Sequence, residues 1–295
     1  MKVLITGANG LLGQHLIKLL LEKNYHVVAT SRGESRLPFT SSANYTYHPM
    51  DITNALETYS VMKLEKPDVV VHAAAMTQVD DCELQPQQCE RINVQGTSQI
   101  LTDAETFSKH FIYISTDFVF DGEKGNYAEE DETKPISWYG FTKLQAESMV
   151  QTSDIPFAVV RTCLVYGNAL TGTRSNIITW VKDSLQQNKT IRVVTDQLRT
   201  PTYVEDLAKG ILLVIEKKAE GIYHISGKDW LSPYDMALKT ADRFKLDKSK
   251  IEKANASNFT QPGRRPLKTG FVIEKARNDL GYEPVSFEEA LQKYF

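Results

Sequence analysis

Tyr139 and Lys143 lie four residues apart in a stretch with a helical pattern, so both side chains share one helix face. A free phenol ionises near pH ~10, too high for proton exchange at neutrality. A neighbouring ammonium group favours the phenolate and lowers that value, which is what a general acid needs. Ser115-Thr116-Asp117 ends an apolar run and offers the hydroxyl of Thr116. Taken singly these residues say little, since Tyr-x-x-x-Lys pairs occur on many solvated helices and a strand-end threonine is often a cap.

A second constellation gives them context. Residues 2–6 form a short apolar run, the pattern of a buried parallel strand, and Gly7-Ala8-Asn9-Gly10-Leu11-Leu12-Gly13 follows at once. Leu11, Leu12, Leu16, Leu19 and Leu20 then recur at helical spacing. A strand, a glycine turn and a helix N-terminus in that order bring free N–H groups and positive dipole potential to a diphosphate. The glycine spacing is G-x-x-G-x-x-G, distinct from the G-x-G-x-x-G of two-domain dehydrogenases.

These residues need a frame to bring them together. Further buried-strand patterns fall at 25–30, 44–48, 67–72, 111–115 and 157–161, with helical patterns at 55–65, 85–107 and 139–151. The alternation predicts an α/β chain with a doubly wound parallel sheet, whose ligands bind beyond the carboxyl ends of the strands. Those ends carry the glycine loop, Ser31-Arg32, Asp51-Ile52, Ala73-Ala74-Ala75, Ser115-Thr116 and Arg161-Thr162. Past residue 167 the rhythm changes: a polar loop at 168–175, a helix at 176–187, a strand at 191–194, a helix at 203–216 and a last strand at 221–225. Helices at 233–244 and 273–280 flank a loop holding Arg265-Pro266. We therefore expect a dinucleotide-binding domain over 1–167, with 201–226 returning to it, and a smaller substrate lobe built from 168–200 and 227–295.

The bulk composition narrows the function. The 295 residues are 41% hydrophobic and 24% charged with a net charge of -3, and no stretch concentrates lysine and arginine, which argues against a nucleic-acid partner. No apolar run approaches membrane-spanning length, and no signal-peptide pattern opens the chain. Cys82, Cys89 and Cys163 are too few and too irregular for a zinc site or a disulfide framework, so the expected home is the cytoplasm. Asp80-Asp81 and the acidic run at 129–132 read as solvated loops, and no metal is expected there.

Glycines 7, 10 and 13, Asp51, the Ala73–Ala75 run, Asn93, Thr116, Tyr139 and Lys143 together resemble the extended short-chain dehydrogenase/reductase family. Residues 72–80, 115–120, 139–143 and 196–202 are more narrowly similar to the dTDP-4-dehydrorhamnose reductases. The resemblance implies that Tyr139 donates the proton to a carbonyl oxygen and that Lys143 tunes it while bonding the nicotinamide ribose. It also implies that Thr116 bonds the reacting oxygen and that Asn93 holds backbone and water near the site. Gly7, Asn9, Gly10, Leu11, Leu12, Gly13, Asp51, Ile52, Ala73, Ala74, Ala75, Asn93 and Ser115 would border the cofactor, with Tyr139 and Lys143. Thr77, Val79, Phe118, Leu164, Asn176 and Arg265 would border the substrate, with Arg265 as a candidate clamp on a nucleotide diphosphate.

Two positions depart from that group, which usually carries tyrosine at 118 and tryptophan at 164. Phe118 lacks a hydroxyl and Leu164 lacks a stacking surface. The second strand ends in Thr30-Ser31-Arg32 with no acid until Glu34, so Ser31 and Arg32 suit a 2′-phosphate and NADP(H) is preferred. NAD(H) stays open, since the resembling reductases as a group tolerate both. The expected function is NADPH-dependent reduction of a nucleotide-linked 4-keto sugar, and a homodimer is compatible with it. Two alternatives remain: an epimerase or dehydratase of the same fold, or a non-catalytic NADP-binding regulatory subunit, to which the β subunit of methionine adenosyltransferase is similar.

Overall fold

The structure is a computed structural model that describes residues 1–40, 42–172 and 175–295. Strands β1 (Lys2–Thr6), β2 (His26–Ser31), β3 (Tyr45–Pro49), β4 (Val69–His72), β5 (His110–Thr116), β6 (Phe157–Thr162) and β10 (Gly221–His224) form one parallel sheet. Its order is β10-β6-β5-β4-β1-β2-β3, the doubly wound arrangement expected from the alternating pattern. Side chains alternate along each strand, so the two faces bury different residues. Val3, Ile5, Val71, Ile112 and Val160 pack with Leu16 and Ile17 of α1 (Leu11–Glu22) and Ile211 of α8 (Val204–Lys217). Leu4, Val70, Phe111 and Val159 pack on the other face. Their partners there are Met62 of α2 (Ala55–Glu65), Ile100 of α5 (Gly96–Phe107) and Ala146 of α6 (Trp138–Gln151).

The expected single helix over 85–107 is instead three joined pieces. They are α4 (Pro86–Glu90), a wide i→i+5 turn at Arg91–Gln95, and α5. Such a widened turn often marks a functional position, and here it carries the buried Asn93. A short helix, α3 (Val79–Leu84), precedes it; six residues are too few for periodicity to reveal. Beyond the sheet, α7 (Ile177–Gln186) and α9 (Pro233–Phe244) pack on a small sheet of β8 (Ile191–Val194) and β11 (Ile251–Ala254). A second pair joins β7 (Val165–Tyr166) to β9 (Thr202–Tyr203), and α10 (Glu274–Leu280) and α11 (Phe287–Tyr294) close the chain. The sequence pattern missed β7, β9, β11 and α11, all short and held by distant partners. Within the polar loop expected at 168–175, residues 173 and 174 lie outside the described residues.

The glycine loop is shaped by close backbone approach. Gly7 has φ +72°, and a Cβ there would lie 2.9 Å from the Ala74 nitrogen and 3.0 Å from the Ala73 carbonyl carbon. Only glycine lets β1 turn this near the segment leaving β4. A Cβ on Gly13 would sit 2.7 Å from Ala8 Cα, so α1 starts against the loop itself.

A buried relay fixes the same junction from the side. Thr6 Oγ1 accepts from the Ala73 and Ala74 N–H groups, both at 3.1 Å, so its own proton goes to His72 Nδ1 at 2.8 Å. His72 Nε2 therefore donates to Thr97 Oγ1 at 3.0 Å, and Thr97 donates to the Asn93 carbonyl at 2.7 Å. This chain of bonds requires a neutral imidazole. Burial, and then the nearby Lys143, hold His72 down at about 3, and burial, with Arg161 nearby, does the same for His224.

Between the ordinary histidine value of 6.5 and about 3, the unfolded chain binds protons that native His72 and His224 refuse. Stability is therefore fully present above pH ~6.5 and falls as the solution is acidified through that window. Urea unfolding should show a lower midpoint at pH ~5 than at pH ~7, with the difference reduced in His72→Gln. A midpoint equal at both pH values would contradict the neutral relay.

Candidate active site

A crevice of about 1570 Å³ opens along the carboxyl ends of the strands. Along one arm it is lined by Gly7, Asn9, Gly10, Leu11, Leu12, Gly13, Ser31, Arg32, Asp51, Ile52 and Ala73 to Ala75. Thr77, Val79, Ser115, Thr116, Phe118, Tyr139, Lys143, Leu164, Asn176 and Arg265 line the remainder. Every candidate residue except Asn93 thus reaches this one space. Asn93 lies behind it: Oδ1 accepts from Met76 N at 2.8 Å, and Nδ2 donates to Met76 O at 3.0 Å and to Thr142 Oγ1 at 3.1 Å. It holds the loop after β4 from behind the residues that line the crevice.

Tyr139, Lys143 and Glu147 follow one face of α6, and all are buried. Ser137 caps the helix by accepting from Gly140 N at 3.2 Å. Position 140 must be small, since a Cβ there would lie 2.1 Å from the Phe118 carbonyl oxygen. That approach brings Tyr139 to the end of β5, where its ring meets Phe118 edge-on at 5.7 Å. The Thr116 hydroxyl lies beside the Tyr139 phenol, and its Oγ1 accepts from Phe118 N at 3.2 Å. Lys143 Nζ donates to the Ile114 carbonyl at 2.7 Å and lies 4.0 Å from the centre of the Tyr113 ring.

The ionisation differs from the sequence expectation. Burial dominates at Tyr139 and raises its pKa, although the Thr116 hydrogen bond pulls the other way. Burial likewise lowers Lys143 to about 7, against the opposing pull of Glu147 and Cys89. The phenol thus holds its proton firmly, and the lysine holds its own less tightly than a free ammonium does. In a dry site, loss of water outweighs the attraction that the sequence spacing suggested.

Two substrate candidates are committed to structure. Arg265 binds Asp80 with both arms, at 2.7 and 2.8 Å, and its Nη1 donates to Gly263 O at 2.6 Å. These bonds engage its guanidinium at the crevice wall. Asn176 caps α7, accepting from Ile178 N at 3.0 Å while donating to Gly167 O at 2.7 Å. Leu164 projects into the crevice from a left-handed φ of 39°, held because Thr202 N donates to the carbonyls of Cys163 and Leu164.

Sequence reasoning missed other lining residues, among them Arg36, Trp180 and Arg199. Arg36 reaches the arm beside Arg32, its loop pinned where Arg36 N donates to Asn9 Oδ1 at 3.0 Å and Tyr47 donates to Gly33 O at 2.7 Å. Its spacing from Arg32 in one basic loop was the available signal. Trp180 stands half-exposed on the first turn of α7. Arg199 is buried beside Asp117, with Nε 3.6 Å from Oδ2. Its guanidinium donates to the carbonyls of Leu198, Leu267 and Pro266 at 2.9, 2.9 and 2.5 Å. Asp117 in turn accepts from Thr116 Oγ1 at 3.2 Å and from Thr269, so the Arg265-Pro266 loop is fastened to the end of β5.

Comparison with known proteins agrees with this geometry. Residues 1–295 match the family model described as RmlD substrate binding domain, and the chain belongs to that family. A dTDP-4-dehydrorhamnose reductase from Clostridium acetobutylicum superposes with a TM-score of 0.85 at 32% identity, covering 100% of this chain and 98% of that one. The Bacillus anthracis dTDP-4-dehydrorhamnose reductase in complex with NADP superposes with a TM-score of 0.85 at 27% identity, over 100% and 98% of the two chains. Methionine adenosyltransferase 2 subunit beta from Rattus norvegicus is 33% identical over 259 residues, 85% of this chain and 74% of the relative.

The Asp117–Arg199 pair is nearly fully buried on both sides. Breaking one partner leaves an uncompensated charge, which costs about 3–5 kcal/mol, whereas removing both is far milder. Arg199→Met should therefore lower the urea midpoint more than the double variant Asp117→Asn with Arg199→Met. Equal losses in the single and double variants would contradict the pairing.

Proposed function

We propose that this member of the RmlD substrate binding domain family is an NADPH-dependent reductase of a nucleotide-linked 4-keto sugar. The observation that carries the reading is the meeting of Thr116, Tyr139 and Lys143 in the same crevice as the glycine loop. Residues 1–167 with 201–226 would form the dinucleotide-binding part, and 168–200 with 227–295 the substrate lobe. Among the relatives, the Bacillus anthracis reductase with NADP supports the cofactor choice.

The residues present fit that cofactor. Gly7 and Gly13 leave no room for side chains where a diphosphate must approach, and Ser115 Oγ is buried among crevice residues without a hydrogen-bond partner. Gly10, Leu11 and Leu12 would present N–H groups to the diphosphate. Arg32 and Arg36 would meet a 2′-phosphate, and Asp51 and Ile52 would border the adenine. When bound, the nicotinamide supplies a hydride to the carbonyl carbon.

This chain's side chains do the rest. Thr116 would turn its hydroxyl proton from Asp117 to the carbonyl oxygen and fix that oxygen against Tyr139. Tyr139 delivers its proton to that oxygen as negative charge develops there, and Lys143 stabilises the phenolate left behind. Phe118, Val79 and Leu164 exclude water from one side and present few polar partners, which favours a deoxygenated sugar ring. The relation to methionine adenosyltransferase 2 subunit beta, together with that apolar wall and the engagement of Arg265 by Asp80, supports a second reading. In it the chain binds NADP and a partner protein without turnover.

The deciding experiment is NADPH consumption against a panel of dTDP-, GDP- and UDP-linked 4-keto sugars. Turnover with at least one of them is expected, and NADPH binding with no turnover on any moves the regulatory reading ahead. Within an active enzyme, Tyr139→Phe should keep NADPH affinity and lose turnover by about 10²–10⁴-fold. Near-normal turnover would mean another proton donor. Arg32→Ala should weaken NADPH by about 1–3 kcal/mol in a fluorescence titration and leave NADH nearly unchanged, the scale of a hydrogen bond to a charged group. Equal wild-type affinity for the two cofactors would remove the 2′-phosphate assignment.

A further inference from the structure

Glu147 is a carboxylate with no exposure to solvent, one helical turn beyond Lys143 on the face of α6 turned to the sheet. Arg161 of β6 surrounds it: Nε lies 3.1 and 3.2 Å from its two oxygens and Nη2 donates to Oε2 at 2.7 Å. Arg161 is itself anchored by donating to Glu129 O at 3.3 Å and by the Phe120 ring 5.2 Å away. The pair lies beneath the site, since Arg161 is in register with Ser115 of β5. A buried ion pair of this kind need do no more than fasten a helix to a sheet. Its place on the helix suggests more, because side chains four apart are neighbours and charges interact strongly where water is excluded.

We propose that Glu147 is a positioning residue for the charge of Lys143, holding the buried ammonium protonated near neutral pH, with Arg161 setting how much of that field Lys143 feels. The proposal rests on reading Tyr139 and Lys143 as the proton-delivering pair. The titratable and charged groups facing Lys143 are Tyr139 and Glu147 on its own helix, Cys89 of α4, His72 of β4, Tyr113 of β5 and, behind Glu147, Arg161 of β6. His72 stays neutral and adds no charge of its own. Lys143 carries opposing influences: burial lowers its pKa, and Glu147 leads the groups that raise it.

The test is a direct titration of Lys143 in the full-length protein labelled with ¹³C-lysine, the signal assigned by its loss in Lys143→Arg. Glu147→Gln should move the Lys143 midpoint down by about one pH unit, and Arg161→Met should move it up by a similar amount. A purely structural pair predicts no opposite movement. Glu147→Asp should restore the wild-type midpoint. If Glu147→Gln fails to fold, the comparison of Arg161→Met, shifted upward, with Arg161→Lys, unshifted, decides the matter. Midpoints unchanged in the folded variants, or moved in the same direction by loss of either charge, overturn the proposal. The titration needs no substrate, so a wild type inactive on every keto sugar would refute the reductase reading while leaving this result to stand on its own.

Discussion

The structure depends on keeping a lysine almost dry. Lys143 is only 3% exposed, at the point where the sheet, α6 and the loop after β4 meet. Burial of a cation without partners would expel its proton, since the charged form loses its hydration. The surroundings offset part of that loss through the Ile114 carbonyl, the face of Tyr113 and the Glu147 carboxylate. Each of these partners belongs to an element that also forms the crevice. Moving β5 or α6 would therefore disturb the charge and the site together.

The same economy governs the neighbouring groups. His72 has to remain neutral because Thr6, already holding two backbone N–H groups, needs an acceptor at Nδ1. That relay fixes Ala73 and Ala74 beside Gly7, while Asn93 fixes Met76 one step further along. On the other side of the crevice the Asp117–Arg199 and Asp80–Arg265 pairs fasten the loop around Pro266 to β5 and α3. The crevice wall is thus held by buried polar contacts from distant segments, and its lining near Phe118 and Leu164 is left apolar.

Much of this was legible in the sequence, for physical reasons. Buried parallel strands are runs of apolar residues, so β1 and β4 to β6 could be read within one or two residues, and α2, β8 and α9 to the residue. The glycine spacing announced a close approach, and the approach is there at Gly7 and Gly13. What could not be read depends on partners remote in the chain. The β7–β9 pair is two residues on each side, β11 exists through β8, and the turn at Arg91–Gln95 breaks a helix whose pattern runs on unbroken. At the site, residue types gave the members and not their commitments: Arg265, the candidate clamp, is paired with Asp80, and Asn176 caps a helix with its side chain. The phenol–ammonium spacing suggested attraction, whereas burial, invisible in a sequence, sets the direction at both groups.

In the proposed reaction, this crevice carries a hydride to a sugar carbonyl while Tyr139 protonates the oxygen. It is tested most directly by incubating the protein with NADPH deuterated at the transferring position and a nucleotide-linked 4-keto sugar, then locating the label by mass spectrometry and NMR. The account predicts an alcohol product with deuterium bound to the former carbonyl carbon and a solvent-derived proton on its oxygen. Recovery of unreacted keto sugar and undiminished labelled NADPH, with the cofactor demonstrably bound, would contradict it.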